Sequence, residues 1–262
     1  MPNPWNLIIQ DPIINGLIAI SSILPKEIEF GLAIIILTII VRLILTPVTL
    51  RQLKSTKAMQ DMQPKIQELQ KKYGKNKQKL QQEMMKLYKE AGVNPLGCMW
   101  PMLIQFPVWI GLYQSIMKAL ATTPENLLNL SQHLYSGQII SRALPLNSHF
   151  LWLDLSQPDP TFILAILVGG SMWVQQKMTT APPADSAQQS TSTMMQVMMP
   201  FMFGMICIMM PSGLPIFWLA STIIGIATQY FVTGGWGYLK KQQPSSSTQL
   251  ESRGKGKRIR YG

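Results

Sequence analysis

The 262-residue chain is 47% hydrophobic and only 13% charged, with a mean hydropathy of +0.15, whereas an average soluble domain carries about 25% charged residues. That balance excludes an ordinary soluble domain and points to a membrane protein with sizeable aqueous segments. A net charge of +11 directs attention to anionic partners, either lipid head groups or nucleic acid, and the two cysteines, Cys98 and Cys207, have neither zinc spacing nor the number for a disulfide framework.

In residues 1–27 no Lys or Arg precedes Lys26, so neither a secretory signal nor a transit peptide is expected to open the chain. Pro12 is expected to interrupt the modest apolar segment here, and Ile13 to Leu24 is too short to span a bilayer. With Trp5 ahead of it, this segment reads as an amphipathic helix lying in the membrane interface.

Residues 28–50 predict a first membrane span. Within it, Gly31 to Leu50 carries one formal charge, Arg42. A guanidinium near mid-membrane costs about 2.5 to 3.5 kcal/mol on insertion scales and usually faces a watery cavity or a partner. Thr38, Thr46 and Thr49 lie at i−4, i+4 and i+7 from Arg42, drawing a polar stripe along one face of an otherwise Ile, Leu and Val helix. The alternative is snorkelling. If the helix ends at Pro47, Arg42 lies roughly 7 Å below its end. If it runs to Arg51, the depth is ~13 Å and the reach is poor.

Residues 51–97 hold eleven of the basic residues and read as a helical hairpin. Met59, Met62, Ile66, Leu69 and Tyr73 form one stripe, and Leu80, Met84, Leu87 and Tyr88 a second. Gly74 separates the two, Asn76 is a candidate N-cap and Gly92 a candidate C′ residue, and Pro64 should kink the first helix.

Further spans are expected at 98–118, 161–177, 194–210 and 214–233. Residues 119–160 form an outer loop, in which His133 and His149 read as lone surface residues. Residues 178–193 read as a flexible polar linker, and the turn Pro211, Ser212 and Gly213 folds the last two spans into an antiparallel hairpin. Residues 238–262 read as a disordered basic tail, whose Lys255, Lys257, Arg258 and Arg260 suit ribosomal phosphates or anionic lipid equally well. With the N-terminus outside and the C-terminus in the cytoplasm, nineteen basic residues lie inside and three, Lys26, Lys118 and Arg142, outside, as the positive-inside rule requires.

Polar groups recur at membrane depth: Gln105 and Gln114 in the second span, Gln175 and Gln176 in the third, and Ser221, Thr222 and Thr228 in the fifth. They either hold helices together, at about 0.6 to 2 kcal/mol per hydrogen bond, or, with Arg42, line a hydrated groove. In the fourth span Met198, Met202, Met205 and Met209 share one stripe, which suits a surface accepting varied apolar partners or plain gap-filling between helices. No phosphate loop, zinc-protease motif or nucleophile motif is present in the sequence, so no enzyme, cofactor or metal is expected.

Several motifs act together. GVNPLGCMWPMLIQFPVWIGLYQSI (Gly92 to Ile116), Gln63 and Pro64, Lys72 and Tyr73, VQQKM (Val174 to Met178), MPFMF (Met199 to Phe203) and MPSGLPIFW (Met210 to Trp218) resemble the YidC-type membrane protein insertases, a family with mitochondrial and chloroplast relatives. The resemblance runs from about Phe30 to Thr233. It implies an all-α polytopic membrane protein, with five transmembrane helices around a hydrophilic groove open to cytosol and lipid, a cytosolic two-helix hairpin and the N-terminal interfacial helix. The family's groove arginine falls on Arg42, its third-span glutamine on Gln175, and its fifth-span aromatic pair on Phe217 and Trp218. Where the family usually has Tyr-Trp and an asparagine one turn later, this chain has Phe217 and either Ser221 or Thr222.

The large outer domain of members from double-membraned bacteria is expected to be missing. The implied substrate groove comprises Arg42, Thr38, Thr46, Gln105, Gln175, Phe217 and Trp218, with the four methionines as an apolar slide. The implied partners are nascent membrane proteins, membrane lipids, the ribosome, the signal recognition particle pathway and the Sec translocon, with a monomer as the working unit. The expected location is a bacterial plasma membrane, with a thylakoid as the alternative. A small-solute transporter or channel also uses an intramembrane arginine, and a passive ribosome anchor would need only the tail.

Overall fold

The computed structural model describes residues 3–74, 76–92, 100–120, 124–135, 146–180 and 186–236. The tail cations Lys255, Lys257, Arg258 and Arg260, together with Cys98 at the start of the second expected span, lie outside the described residues.

The chain begins with a π-helical turn, Asn6–Gln10, that runs directly into α1, Asp11–Ser21. Pro12 does not interrupt this helix. It sits at the start of α1, where its missing N–H falls after the wide π turn and costs little. Ile14, Leu17 and Ile18 are each 0% exposed. Leu17 joins the core shared with α2 and α5, while Ile14 and Ile18 pack against Leu130.

From Glu29 to Asp61 the chain is one 33-residue helix, α2. The first span was expected to end at Leu50, and the helix instead continues through Pro47 and Arg51 into the segment read as the hairpin's first arm. The break comes at Met62, and α3 (Gln63–Tyr73) starts after it with Pro64 in its first turn. Pro64 therefore starts a helix rather than kinking one, since a first-turn residue needs no intrahelical donor. Helix α4 (Lys77–Glu90) returns alongside, with Asn76 accepting from the Lys79 N–H at 3.1 Å and Gly92 left-handed at φ +64°. Met62 and Ile66 are buried, and the Lys72 and Lys79 ammonium groups each lie 5.3 Å from the Tyr73 ring centroid.

The remaining long helices are α5 (Trp100–Ala119), α7 (Ile163–Thr179), α8 (Ser186–Met209) and α9 (Gly213–Thr233), with the short α6 (Pro124–Ser131) between α5 and α7. Among the described residues two stretches, Glu29–Ala58 and Gly213–Thr233, are long and apolar enough to cross a membrane. Helix α8 starts at Ser186 rather than Met194, so half of the expected flexible linker is helical. The run SAQQSTST contains no Gly or Pro, and extending an existing helix adds one hydrogen bond for each residue fixed.

Each long helix divides along its length. Phe30, Ile34, Leu112, Ile116, Leu214 and Phe217 belong to one apolar core at one end of the bundle. The strands β1 (His149–Phe150) and β2 (Leu153–Asp154) form a small hairpin that closes this end. The Phe150 ring occupies the space over Gly31, where a Cβ would overlap it. The N–H groups of Ser212 and Gly213 donate to the carbonyls of Gln157 and Leu155 at 2.9 and 3.2 Å, and buried Glu29 accepts from the Asn147 N–H at 2.9 Å.

His133 is not a lone surface residue. Its Nδ1 lies 2.7 Å from Asp11 Oδ1 and its Nε2 2.9 Å from Lys118 Nζ. Sequence separations of 122 and 15 hid a meeting of α1, the end of α5 and the segment after α6. His149 is exposed.

Asp159 caps the start of α7. Its carboxylate accepts from the Thr161 N–H (2.9 Å), the Thr161 hydroxyl (2.6 Å) and the Leu164 N–H (2.8 Å). Burial raises this carboxyl's pKa, but the three hydrogen bonds outweigh it and hold the group below its ordinary value of 3.8. A depressed folded-state pKa means that the stabilisation is complete above the ordinary value and is lost as pH falls through the lower, folded-state one. Asp159→Ala should therefore cost about 1 kcal/mol at neutral pH. The gap from wild type should close as the pH is lowered past 3.8, followed by circular dichroism melts in detergent. A gap independent of pH would show that the charge contributes nothing.

Candidate hydrophilic cavity

The end of the bundle away from the core encloses a cavity of about 430 Å³. Arg42 from α2, Gln105 from α5, Gln175 from α7 and Phe217 and Trp218 from α9 all line it. Residues far apart in sequence meet here because α2, α7 and α9 run in the same direction, with their early residues in or near the core and their later polar residues at the cavity.

Thr38 and Thr46 are not among the lining residues. Thr38 is 1% exposed and donates to the Ile34 carbonyl at 2.6 Å, in the packed half. Thr46 donates to the Arg42 carbonyl at 2.8 Å. Thr49 does line the cavity, while donating to the Leu45 carbonyl at 3.1 Å. These threonines satisfy themselves on their own helix, as hydroxyls in apolar helices commonly do.

Arg42 is half-buried, and among the described residues no carboxylate lies within ion-pair distance of its guanidinium and no side chain accepts from it. A charge in such a place is stable only where water or a ligand reaches it, and the cavity provides that access. The lining mixes amides and hydroxyls, with Gln52, Gln176, Ser221, Thr222 and Gln229 joining Gln105 and Gln175, and apolar side chains such as Leu45, Val48 and Met172.

Two lining residues carry buried polar atoms with no protein partner, Ser221 Oγ and Trp109 Nε1. An unsatisfied buried polar group costs about 1 to 3 kcal/mol, so each is an unmet hydrogen bond beside the cavity. Ser221 thus places an unpaired hydroxyl in the part of the fifth-span helix where the family usually has asparagine.

The sequence reading missed one wall of the cavity. Trp109 stacks on Trp218 at 5.2 Å and 30°, Phe203 of α8 meets Trp218 edge-on at 5.2 Å, and Phe106 lies 6.2 Å from Trp109. The aromatic wall is rigid and apolar. Its sequence signal was the i, i+3 spacing of Phe106 and Trp109 on one helical face. At the far end, the Gln229 amide donates to Thr179 Oγ1 at 3.0 Å and ties α9 to α7. Beside it, Gly225 leaves the space that the Gln175 amide occupies, so that a Cβ at Gly225 would collide with Nε2.

Other predicted groups lie elsewhere. Gln114 is in the packed half, where its Oε1 accepts from Trp5 Nε1 at 2.8 Å and joins the N-terminal helix to α5. Met198, Met202, Met205 and Met209 are 50 to 83% exposed on the outside of α8, so they do not fill gaps between helices. None of the four lines the cavity.

The family model for the 60Kd inner membrane protein matches residues 21–237. The membrane protein insertase YidC of Histophilus somni (strain 129Pt) is 39% identical over 232 residues, which cover 88% of this chain and 38% of that protein. YidC of Actinobacillus pleuropneumoniae serotype 3 (strain JL03) is 40% identical over 229 residues, 87% of this chain and 37% of that protein. The membrane protein insertase MisCA of Bacillus subtilis (strain 168) is 35% identical over 237 residues, 89% of this chain and 80% of that protein. The chain therefore spans well under half of its YidC relatives' length and most of MisCA's. A family match over nearly all of the folded helices, together with their long apolar stretches, means that this bacterial membrane protein belongs to the 60Kd inner membrane protein family.

Proposed function

We propose that the chain is a membrane protein insertase and chaperone, in which α2, α5, α7, α8 and α9 span the membrane with the N-terminus outside. On this reading the α3–α4 hairpin is cytosolic, and the cavity is a groove open to the cytosol that receives the polar tail of a nascent membrane protein. The observation that carries it is the guanidinium of Arg42, without a carboxylate partner among the described residues, in a cavity lined by both amides and aromatic rings. The printed names of the relatives, membrane protein insertases all, point the same way.

The mechanism follows from where the cost of insertion lies. A client's apolar segment enters lipid favourably, whereas its polar tail must shed water at several kcal/mol or more. A cavity reaching through half the bundle shortens the apolar path that the tail must cross. Arg42 attracts acidic residues on the way, more strongly than in water because the local dielectric is low. Amides both donate and accept, so Gln105 and Gln175 replace lost water around a backbone of any sequence. A membrane potential negative inside adds about 2.3 kcal/mol per 100 mV for each acidic charge carried outward. The apolar segment then leaves sideways into lipid, past the exposed methionines of α8. Among the described residues the other end of the bundle is filled by a packed apolar core, which argues against a solute channel.

For a client with a short acidic N-tail in reconstituted vesicles, Arg42→Glu should lower insertion roughly tenfold or more and Arg42→Lys should largely preserve it, read as protease accessibility of the tail. Equal insertion by wild type and Arg42→Glu would remove the electrostatic role. A photocrosslinker placed at Gln175 or Trp218 should capture a stalled nascent chain; a solute transporter or passive ribosome anchor would give no adduct. Gly225→Ala should push the Gln175 amide aside with little change in unfolding midpoint, because that amide ends a flexible side chain. Client insertion should then fall roughly two- to tenfold, the equivalent of about one hydrogen bond, and an unchanged rate would mean that Gln175 does not touch the client.

A further inference from the structure

A second cavity, about 330 Å³, is an apolar cleft on the outer side of the α7–α8 pair. It exists because of two glycines. A Cβ at Gly169 would come within 3.3 Å of the Pro200 carbonyl, and one at Gly204 within 3.2 Å of the Ala165 carbonyl, so the backbones approach closely. Trp173 on α7 and Phe201 on α8, 42 and 67% exposed, stand out on either side as walls.

The two ends of the cleft differ. One turn beyond Trp173 lies Lys177, whose Nζ sits 5.8 Å from the Trp173 ring centroid. Among the described residues no carboxylate lies within ion-pair distance of it. From Trp173 the cleft runs to Phe162, just before the first residue of α7, ~16 Å at the helical rise. The lining is almost wholly apolar over that length and suits a hydrocarbon chain.

We propose that this cleft holds one acyl chain of an anionic glycerophospholipid, with its phosphate paired to Lys177 at the Trp173 end. A cation at the mouth of an apolar slot selects a ligand that is anionic at one end and hydrocarbon beyond it. Trp173 fits the boundary between the two, since indole favours the headgroup level. The site is separate from the Arg42 cavity, and the inference stands whether or not the insertase reading does.

Two variants test it without disturbing the Gly169–Gly204 contact. A side chain at Gly170 meets nothing within 4 Å, so Gly170→Leu fills the cleft from its open wall, and Lys177→Gln removes only the charge. The full chain, purified in detergent, is titrated with dioleoyl phosphatidylglycerol or dioleoyl phosphatidylcholine, and retained lipids are counted by native mass spectrometry. The wild type should retain one phosphatidylglycerol in preference to phosphatidylcholine. Lys177→Gln should lower that preference about fivefold, and Gly170→Leu should lower retention of both lipids. Equal preference in wild type and Lys177→Gln would overturn the headgroup assignment, and equal retention in wild type and Gly170→Leu would overturn the cleft. Loss of client crosslinking in Gly170→Leu with lipid retention unchanged would also overturn the proposal, in favour of a client segment as occupant.

Discussion

The organisation of the bundle depends on one constraint: a guanidinium held among apolar helices has to keep contact with water or a polar ligand. Arg42 has no carboxylate partner among the described residues, so the helices around it cannot close as they do at the other end. The same α2 that packs Phe30, Ile34 and Leu37 into the core turns Arg42, Thr49 and Gln52 toward the cavity. Helix α9 makes the same change, from Leu214 and Ile216 in the core to Ser221, Thr222 and Gln229 at the cavity. Phe217 is the joint, since it belongs to both. A bundle built this way is firm at one end and hydrated at the other.

Amides of one kind do two jobs here, and position decides which. Gln114 lies level with the core and binds Trp5 of the N-terminal helix, a contact of the sort that holds helices together in an apolar medium. Gln105 and Gln175 lie level with Arg42 and face the cavity. The Trp109–Trp218 stack, braced by Phe203, adds a rigid aromatic part to the same lining.

Close approaches through glycine set the remaining geometry. Gly31 receives the Phe150 ring and seats the β1–β2 hairpin on α2, Gly169 and Gly204 bring α7 and α8 together, and Gly225 makes room for the Gln175 amide. Van der Waals contact at short range is the main source of helix association where there is no water to expel. The same closeness leaves the cleft beside Trp173, because larger neighbours cannot follow the backbones inward.

Much of this was legible in the sequence. Apolar runs of spanning length, the excess of Lys and Arg between them, the Asn76 cap and the left-handed Gly92 follow from composition and local spacing, since each depends on residues within a turn or two. Arg42 as the centre of a polar site was likewise visible, because its cost needs no tertiary knowledge. Other features needed the folded chain. Pro47 lies within α2, Pro64 opens α3 and Ser186 already lies in α8, because helix ends depend on what packs around them. The Asp11–His133–Lys118 contact joins three separate elements. The placing of Gln114 in the core and Gln175 in the cavity, the absence of Thr38 and Thr46 from the lining, and the Trp109 wall were settled by helix rotation and depth. Sequence by itself determined which segments are apolar and which polar groups they carry. Only tertiary structure decided which of those groups face one another, because a helix's rotation is chosen by its neighbours' side chains and not by its own.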